Sequence, residues 1–233
     1  MSDGILNTLS AWEQSFINSA KDIENSVLNG TKSQAEAILT DIRGKFNTVY
    51  TGLQATAAII ATCNTKLSSL TASVSKINDS AVTSKYNKLL ADQKRIQNNQ
   101  TMFTNYINEI IAKYKDIILG EAEKTTSMGL AQIIIGGIAI AAIAAIAALI
   151  YGLYKAFLTH KAEVNAQNNA TNSFATITAG LENGSLTQTA ATSLLNHLPG
   201  GANIGSTIQS MIPAVVIAGV VVVAIMFLNR NMK

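Results

Sequence analysis

The sequence predicts an all-α protein: an N-terminal amphipathic helix and a long antiparallel coiled-coil hairpin, followed by two transmembrane helices. Three observations support this prediction. No proline precedes Pro199, so the commonest helix breaker is missing from the first 198 residues. Apolar side chains recur at heptad spacing through residues 46–117. Residues 129–154, GLAQIIIGGIAIAAIAAIAALIYGLY, contain no charged residue in 26 positions.

Charge divides the chain into a polar and an apolar part. Residues 1–124 hold 13 Lys/Arg and 12 Asp/Glu, whereas residues 125–233 hold four and two. This division is typical of a polar region joined to a membrane region. The formal net charge of +3 is too small to indicate a nucleic-acid partner.

Residues 1–30 are predicted to form the N-terminal amphipathic helix. They carry acidic charge near the start and lack the apolar core of a secretory signal, so no such signal is predicted. The helix ends at Gly30, and a capping box of Thr31 and Gln34 begins the next one. One face carries Ile5, Leu9, Trp12, Phe16, Ala20, Ile23 and Val27.

Residues 31–120 are predicted to form the coiled-coil hairpin, with its turn at residues 78–80. Spacings of three and four alternate without a slip on both sides of that turn, which defines a helix–helix seam. The first helix contributes Phe46, Val49, Leu53, Thr56, Ile60, Cys63, Leu67, Leu70, Val74, Ile77 and Ala81. The second contributes Val82, Tyr86, Leu89, Gln93, Ile96, Gln100, Phe103, Ile107, Ile110, Tyr114 and Ile117.

Gln93 and Gln100 interrupt the apolar seam. They are either polar layers that set the register of the coiled coil or positions exposed at one side of a loose bundle, and the sequence favours neither. Cys63 also lies on the seam, where a buried thiol behaves as a small apolar side chain.

Two segments are long and apolar enough to predict membrane spans. After a linker at 121–128, the first span is placed at 129–158 and the second at 208–229, followed by a basic tail at 230–233. A buried helix of a globular domain is the alternative for the first segment, but it would need a larger surrounding domain than this chain offers.

Small residues occur at spacings of three and four in the first span. They are Gly137, Ala141, Ala144, Ala145, Ala148 and Gly152. Lipid contact alone would be served by Leu, Ile and Val, so this face is predicted to allow close approach of another helix. That helix would be the second span or another copy of the first. Ala as a simple helix former is the alternative, but it does not explain the glycines.

The segment between the spans, residues 159–207, is rich in Ala, Asn, Thr and Ser. It is predicted to be a polar loop with two short helices, around residues 174–181 and 187–195. Leu198-Pro199-Gly200-Gly201 marks a clear break.

The sequence shows no constellation of catalytic residues. His160 and His197 lack metal-ligand spacing, and the single Cys63 excludes an intramolecular disulfide. No phosphate-binding loop, dinucleotide fingerprint or nucleophile elbow is present. We therefore expect a non-enzymatic protein without cofactor, metal or small-molecule substrate.

In layout, the chain resembles minor membrane proteins and DNA-delivery proteins of membrane-containing or pilot-protein-bearing bacterial viruses. The resemblance rests on small size, a helical stalk and Ala/Gly-rich spans, and it transfers no functional residue. It implies an integral membrane structural protein of a virion or host inner membrane, whose partners are the bilayer and either further copies or other membrane or capsid proteins. Two spans would place stalk and tail on the same side, and flanking basic residues favour the cytoplasmic side.

An α-helical pore-forming toxin is the alternative function. Such toxins also combine long bundled helices with an apolar segment that is hidden until membrane contact. Against it, the second apolar segment ends near the C-terminus and would also need shielding, and such toxins are typically longer. For a holin-like or fusion-linked protein, no positive signal is present.

Overall fold

The computed structural model describes residues 32–118 and 137–198, and within these residues it is entirely helical. This confirms the predicted all-α class. The helices are α1 (Lys32–Ile77), α2 (Ser80–Ile118), α3 (Gly137–Glu182) and α4 (Gln188–His197). The predicted N-terminal helix, the linker, the second span and the basic tail lie outside the described residues.

Two residues separate α1 from α2, at the turn that the heptad pattern indicates. Asn78 adopts a left-handed conformation with φ 49°, which asparagine tolerates better than most residues. Asp79 then caps α2, because its Oδ1 accepts a hydrogen bond from the backbone N–H of Val82 at 2.9 Å. The backbone therefore reverses where local turn chemistry permits it.

The prediction of a polar loop over 159–207 is wrong in its first part, because residues 159–182 belong to α3. This helix runs without a break from the apolar Gly137 to Glu182. The predicted short helix around 174–181 is the end of α3, whereas the one around 187–195 corresponds to α4. The loop was predicted from composition, because Asn and Thr are weak helix formers. The helix forms nevertheless because packing supplies most helical stability in proteins.

Among residues 32–118 and 137–198, no helix is long and apolar enough to cross a membrane. The structure therefore gives no support to the prediction of two spans. The helical part of the first predicted span is continued by the polar residues of α3 rather than ended by a loop.

The described residues fall into two compact units. The first unit comprises residues 32–51, 105–118 and 137–157; the second comprises residues 52–104 and 158–198. Each is described by itself below.

The second unit has a core formed by all four helices. In this unit α3 and α4 cover the seam between α1 and α2, so the predicted two-helix coiled-coil hairpin is corrected to part of a four-helix core. Its main apolar cluster contains Leu67, Val74, Val82, Tyr86, Leu89, Ala170, Phe174, Ile177, Ala191 and Leu195. A second cluster joins Ile60, Ile96 and Val164.

Candidate functional site

The second unit contains a layer of buried and half-buried polar side chains contributed by α1, α2 and α3. Gln100 lies at its centre: its Nε2 donates to the Leu53 carbonyl at 2.8 Å, and its Oε1 accepts from Thr56 Oγ1 at 2.9 Å. The same Oε1 lies 2.8 Å from Nε2 of His160, which is fully buried. The amide of Gln100 therefore joins three helices.

Gln93 forms a second polar connection within this unit. It is almost fully buried, and its Nε2 donates to the Ile60 carbonyl at 2.9 Å and to Asn64 Oδ1 at 2.8 Å. Neither Gln93 nor Gln100 is exposed, so the alternative of a solvated side of a loose bundle does not describe them. Their bonds to α1 carbonyls fix the pairing of α1 with α2, because a shift in register would leave buried polar atoms unsatisfied.

The third polar contact of this unit is an ion pair between Arg95 and Glu163. The guanidinium Nη1 donates to Glu163 Oε1 at 3.0 Å, and Asp92 lies 3.6 Å from Nη2. Burial raises the pKa of Glu163, and Arg95 counteracts that shift. Glu163 Oε2 and the amide of the neighbouring Asn99 reach no partner at hydrogen-bond geometry among the described residues.

Sequence reasoning missed His160, Glu163 and Gln167 as interior residues because they are polar. Gln167 also bonds across the unit, since its Nε2 donates to the Leu89 carbonyl at 2.9 Å. The signal was present in their spacing: the buried positions of α3 repeat at three and four, in the order His160, Glu163, Gln167, Ala170, Phe174 and Ile177. A three-and-four pattern that also counts polar residues as interior positions would have predicted this helix.

The first unit contains the apolar part of α3. From residue 146 to 157, buried residues occur on more than one face of the helix: Ile146, Ala147, Ala148, Ile150, Gly152, Leu153, Ala156 and Phe157. Of the predicted small-residue face, Ala148 and Gly152 are therefore buried. The larger Ile146, Ile150 and Leu153 are buried too, so burial does not distinguish the small face. Gly137 and Ala141 lie in α3 with Ala144 and Ala145, in a part where only the backbone is described.

The exposed positions of α1 and α2 in the first unit are mainly polar. They include Thr40, Asp41, Asn47, Thr48, Thr51, Asn105, Asn108 and Glu109. Buried positions between them are apolar: Leu39, Ile42, Phe46, Val49, Ile107 and Ile110. This is the pattern of helices that face water on one side and a core on the other. The apolar residues of α3 thus lie in a unit with a polar exterior.

Two tyrosines and two lysines meet at the end of the apolar run. Lys45 Nζ of α1 lies 5.7 Å from the ring centroid of Tyr151 and 5.9 Å from that of Tyr154. Lys155 Nζ lies 5.4 Å from the Tyr151 centroid. These are cation–π distances.

The described residues contain no group of His, Cys, Asp and Glu side chains that could hold a metal ion. Cys63 is buried; burial raises the pKa of its thiol, and its Sγ lies 3.6 Å from Asn168 Oδ1. His197 is exposed at the end of α4. No family model, curated protein or solved structure matches this chain.

Proposed function

We propose that this chain is a non-enzymatic membrane-active protein that stores the apolar part of α3 inside a helical bundle and inserts it into a bilayer on membrane contact. The observation that carries the proposal is the burial of most apolar residues between 146 and 157, in a unit where the exposed faces of α1 and α2 are mainly polar. A segment that always contacts lipid does not need to be covered by protein.

The continuity of α3 supplies the mechanism. One helix contains both the apolar residues of the first unit and residues 158–182, whose buried side chains pack on α1 and α2 in the second unit. Burial of apolar surface contributes about 25 cal/mol per Å² to the stability of the folded state. Transfer of the apolar residues to lipid offsets the loss of that burial, since a bilayer core is as apolar as a protein core. We further propose that the inserted helices form a pore, which requires several copies, so a homo-oligomer is the expected membrane-bound form.

A disulfide lock tests whether insertion requires α3 to separate from α1. Replacement of Asn168 by cysteine places a second thiol next to Cys63, because the present side chains lie 3.6 Å apart. The oxidised Asn168→Cys protein should not release dye from lipid vesicles, and reductant should restore release. Asn169→Cys is the matched control, because Asn169 is exposed on the same helix.

Two results would contradict this function. Release by the oxidised, cross-linked variant at the wild-type rate would show that the bundle need not open. If the wild-type protein released no dye from vesicles of any lipid composition, membrane insertion itself would be contradicted.

The second candidate is an integral structural protein of a virion or host inner membrane, anchored by both predicted spans. The sequence of residues 213–229, PAVVIAGVVVVAIMFLN, with Arg230 and Lys233 after it, favours this function. In that case the helical stalk and the tail share one side of the membrane, and capsid or membrane proteins are its partners. Alkaline carbonate extraction of the producing cell distinguishes the two candidate functions. A protein anchored by both spans stays with the membrane, whereas a protein that still holds α3 inside its bundle is released.

A further inference from the structure

We infer that the α1–α2 hairpin of the second unit is a frame that stays paired while α3 separates from it. This inference rests on the proposed insertion of α3 and specifies which helix contacts open on a membrane. Two observations support it: a regular ladder of hydrogen bonds between α1 and α2, and a set of buried polar atoms at α3 that lack partners.

Three polar side chains of α2 form this ladder at heptad spacing. The donors lie seven residues apart along α2, and the backbone carbonyls that accept from them lie seven residues apart along α1. One antiparallel register therefore satisfies all three bonds, and a shift in register would break them together. The bonds run from Tyr86 Oη to the Leu67 carbonyl at 2.9 Å, from Gln93 Nε2 to Ile60 at 2.9 Å and from Gln100 Nε2 to Leu53 at 2.8 Å.

Each residue of the ladder also contacts a polar side chain of α1. The ladder thus joins α1 and α2 through side chain and backbone at three successive levels, and the turn at residues 78–79 joins their ends. A short connection keeps the two helices close, because the entropic cost of closing a loop grows with its length. The side-chain partners are Asn64 Oδ1 for Gln93 at 2.8 Å, Thr56 Oγ1 for Gln100 at 2.9 Å and Thr71 Oγ1 for Tyr86 at 2.7 Å.

Polar satisfaction is poorer where α3 packs on the hairpin. Four buried residues there have polar atoms that reach no hydrogen-bond partner among the described residues: Glu163 Oε2, His160 Nδ1, Thr171 Oγ1 and the amide of Asn99, which neighbours Glu163. On the ladder, the same holds only of Gln93 Oε1. Water would supply partners to these atoms once α3 separates, which offsets part of the contacts that are lost. Hydration therefore favours separation at α3 over separation between α1 and α2.

Distances between spin labels test the inference on the full chain, in solution and on vesicles of phosphatidylcholine and phosphatidylglycerol. In a Cys63→Ala background, Thr65→Cys/Ala91→Cys reports on α1 and α2, and Thr65→Cys/Asn165→Cys reports on α1 and α3; all three labelled positions are exposed. On vesicles the α1–α2 distance should change by less than about 3 Å. The α1–α3 distance should grow by about 10 Å or more, because packed helices lie about 8–10 Å apart.

Removal of the central bond of the ladder tests its role. Gln93→Leu should broaden the α1–α2 distance distribution on vesicles, because it deletes both bonds of that side chain to α1. Asn98→Leu is the matched control, since Asn98 is an exposed residue of α2 outside the ladder. Circular dichroism should show that the variants are as helical as the parent protein. Equal distributions for the two variants would contradict a role of the ladder in keeping the frame paired.

Dye release from the same vesicles separates the inference from the proposed function. Growth of the α1–α2 distance as large as that of the α1–α3 distance, with dye release intact, would overturn the frame and leave insertion in place. An unchanged α1–α3 distance would also overturn the inference, whether or not dye is released, because α3 would not separate. Separation of α3 from a paired hairpin without any release would support the frame and overturn insertion.

Discussion

His160 Nε2 lies 2.8 Å from Gln100 Oε1, and this contact joins α3 to the α1–α2 hairpin. Because the amide oxygen is an acceptor, Nε2 carries the proton of the neutral imidazole. The other ring nitrogen, Nδ1, has no hydrogen-bond partner among the described residues. The second unit is therefore built for a neutral histidine, since a second proton would lie at a buried nitrogen without an acceptor.

The first prediction is that stability falls as pH falls from 7.5 to 5. Burial, and secondarily the positive charge of Arg95, lower the pKa of His160 from 6.5 to about 4. Between these values the unfolded chain binds more protons than the folded chain, so stability is lost as pH falls through about 6.5. The loss should be about 2 kcal/mol by pH 5. Urea unfolding at several pH values measures it.

His160→Gln separates this effect from the other charges around the imidazole. These are Arg95 and Asp92 of α2 and Glu163 of α3, whereas α1 contributes the uncharged Thr56 to this layer. The pKa of Glu163 is raised, so its protonation favours the folded state as pH falls and opposes the histidine. The variant should lack the destabilisation by acid. An unchanged pH profile in His160→Gln would assign the effect to another group.

The second prediction concerns the coupling between His160 and Gln100. Gln100→Ala should lower the free energy of unfolding by about 2 kcal/mol, because it removes the bond to the Leu53 carbonyl and leaves the buried imidazole N–H without its acceptor. Combined with His160→Phe, the loss should be less than additive by about 1 kcal/mol. Gln97→Ala, at a position outside the layer, is the control. Strict additivity would mean that the 2.8 Å contact contributes nothing.

The third prediction is that Arg95→Met destabilises the protein more than the double change Arg95→Met/Glu163→Gln. Glu163 is almost fully buried, and loss of its cation leaves an uncompensated charge at a cost of about 3 kcal/mol. Because protonation neutralises the carboxyl, the difference in stability between the two variants should shrink as pH falls toward 5, whereas the loss caused by His160 is common to both. Equal stability of both variants at pH 7.5 would contradict a charged, paired Glu163.

The hairpin could be predicted from the hydropathy pattern, but the third helix of the bundle could not. In α1 and α2, apolar residues mark nearly every buried position, and Asn78-Asp79 supplies turn chemistry, so local and tertiary preferences agree. In α3, the interior positions alternate between apolar residues such as Phe174 and polar ones such as His160 and Glu163. Hydropathy cannot identify such a face, because the polar residues are buried only by virtue of their partners on α2.

The fourth prediction compares two glycines in helices. A Cβ at Gly44 would meet nothing within 4 Å, so Gly44→Ala should stabilise the protein by about 0.5–1 kcal/mol through helix propensity. A Cβ at Gly180 would lie 2.6 Å from Leu186 Cδ1, in the turn before α4. Gly180→Ala should therefore leave the free energy of unfolding unchanged or lower it. Thermal unfolding of the two variants measures the contrast, and equal stabilisation by both would show that Leu186 moves aside freely.

The last prediction concerns the buried part of the small-residue face. Ala148 is 1% exposed, so Ala148→Leu adds bulk to a filled interior and should cost about 1–3 kcal/mol. Ile146→Leu conserves volume at a neighbouring buried position and should cost less.

The two proposed functions predict opposite effects of Ala148→Leu in membranes. If α3 inserts from the bundle, Ala148→Leu weakens storage, and dye release should become faster than that of the wild-type protein. If small residues hold packed spans together, the same change should disrupt the detergent-resistant assembly and leave no faster release. Identical behaviour of Ala148→Leu and Ile146→Leu in both assays would show that the spacing of small residues in α3 has no role in either.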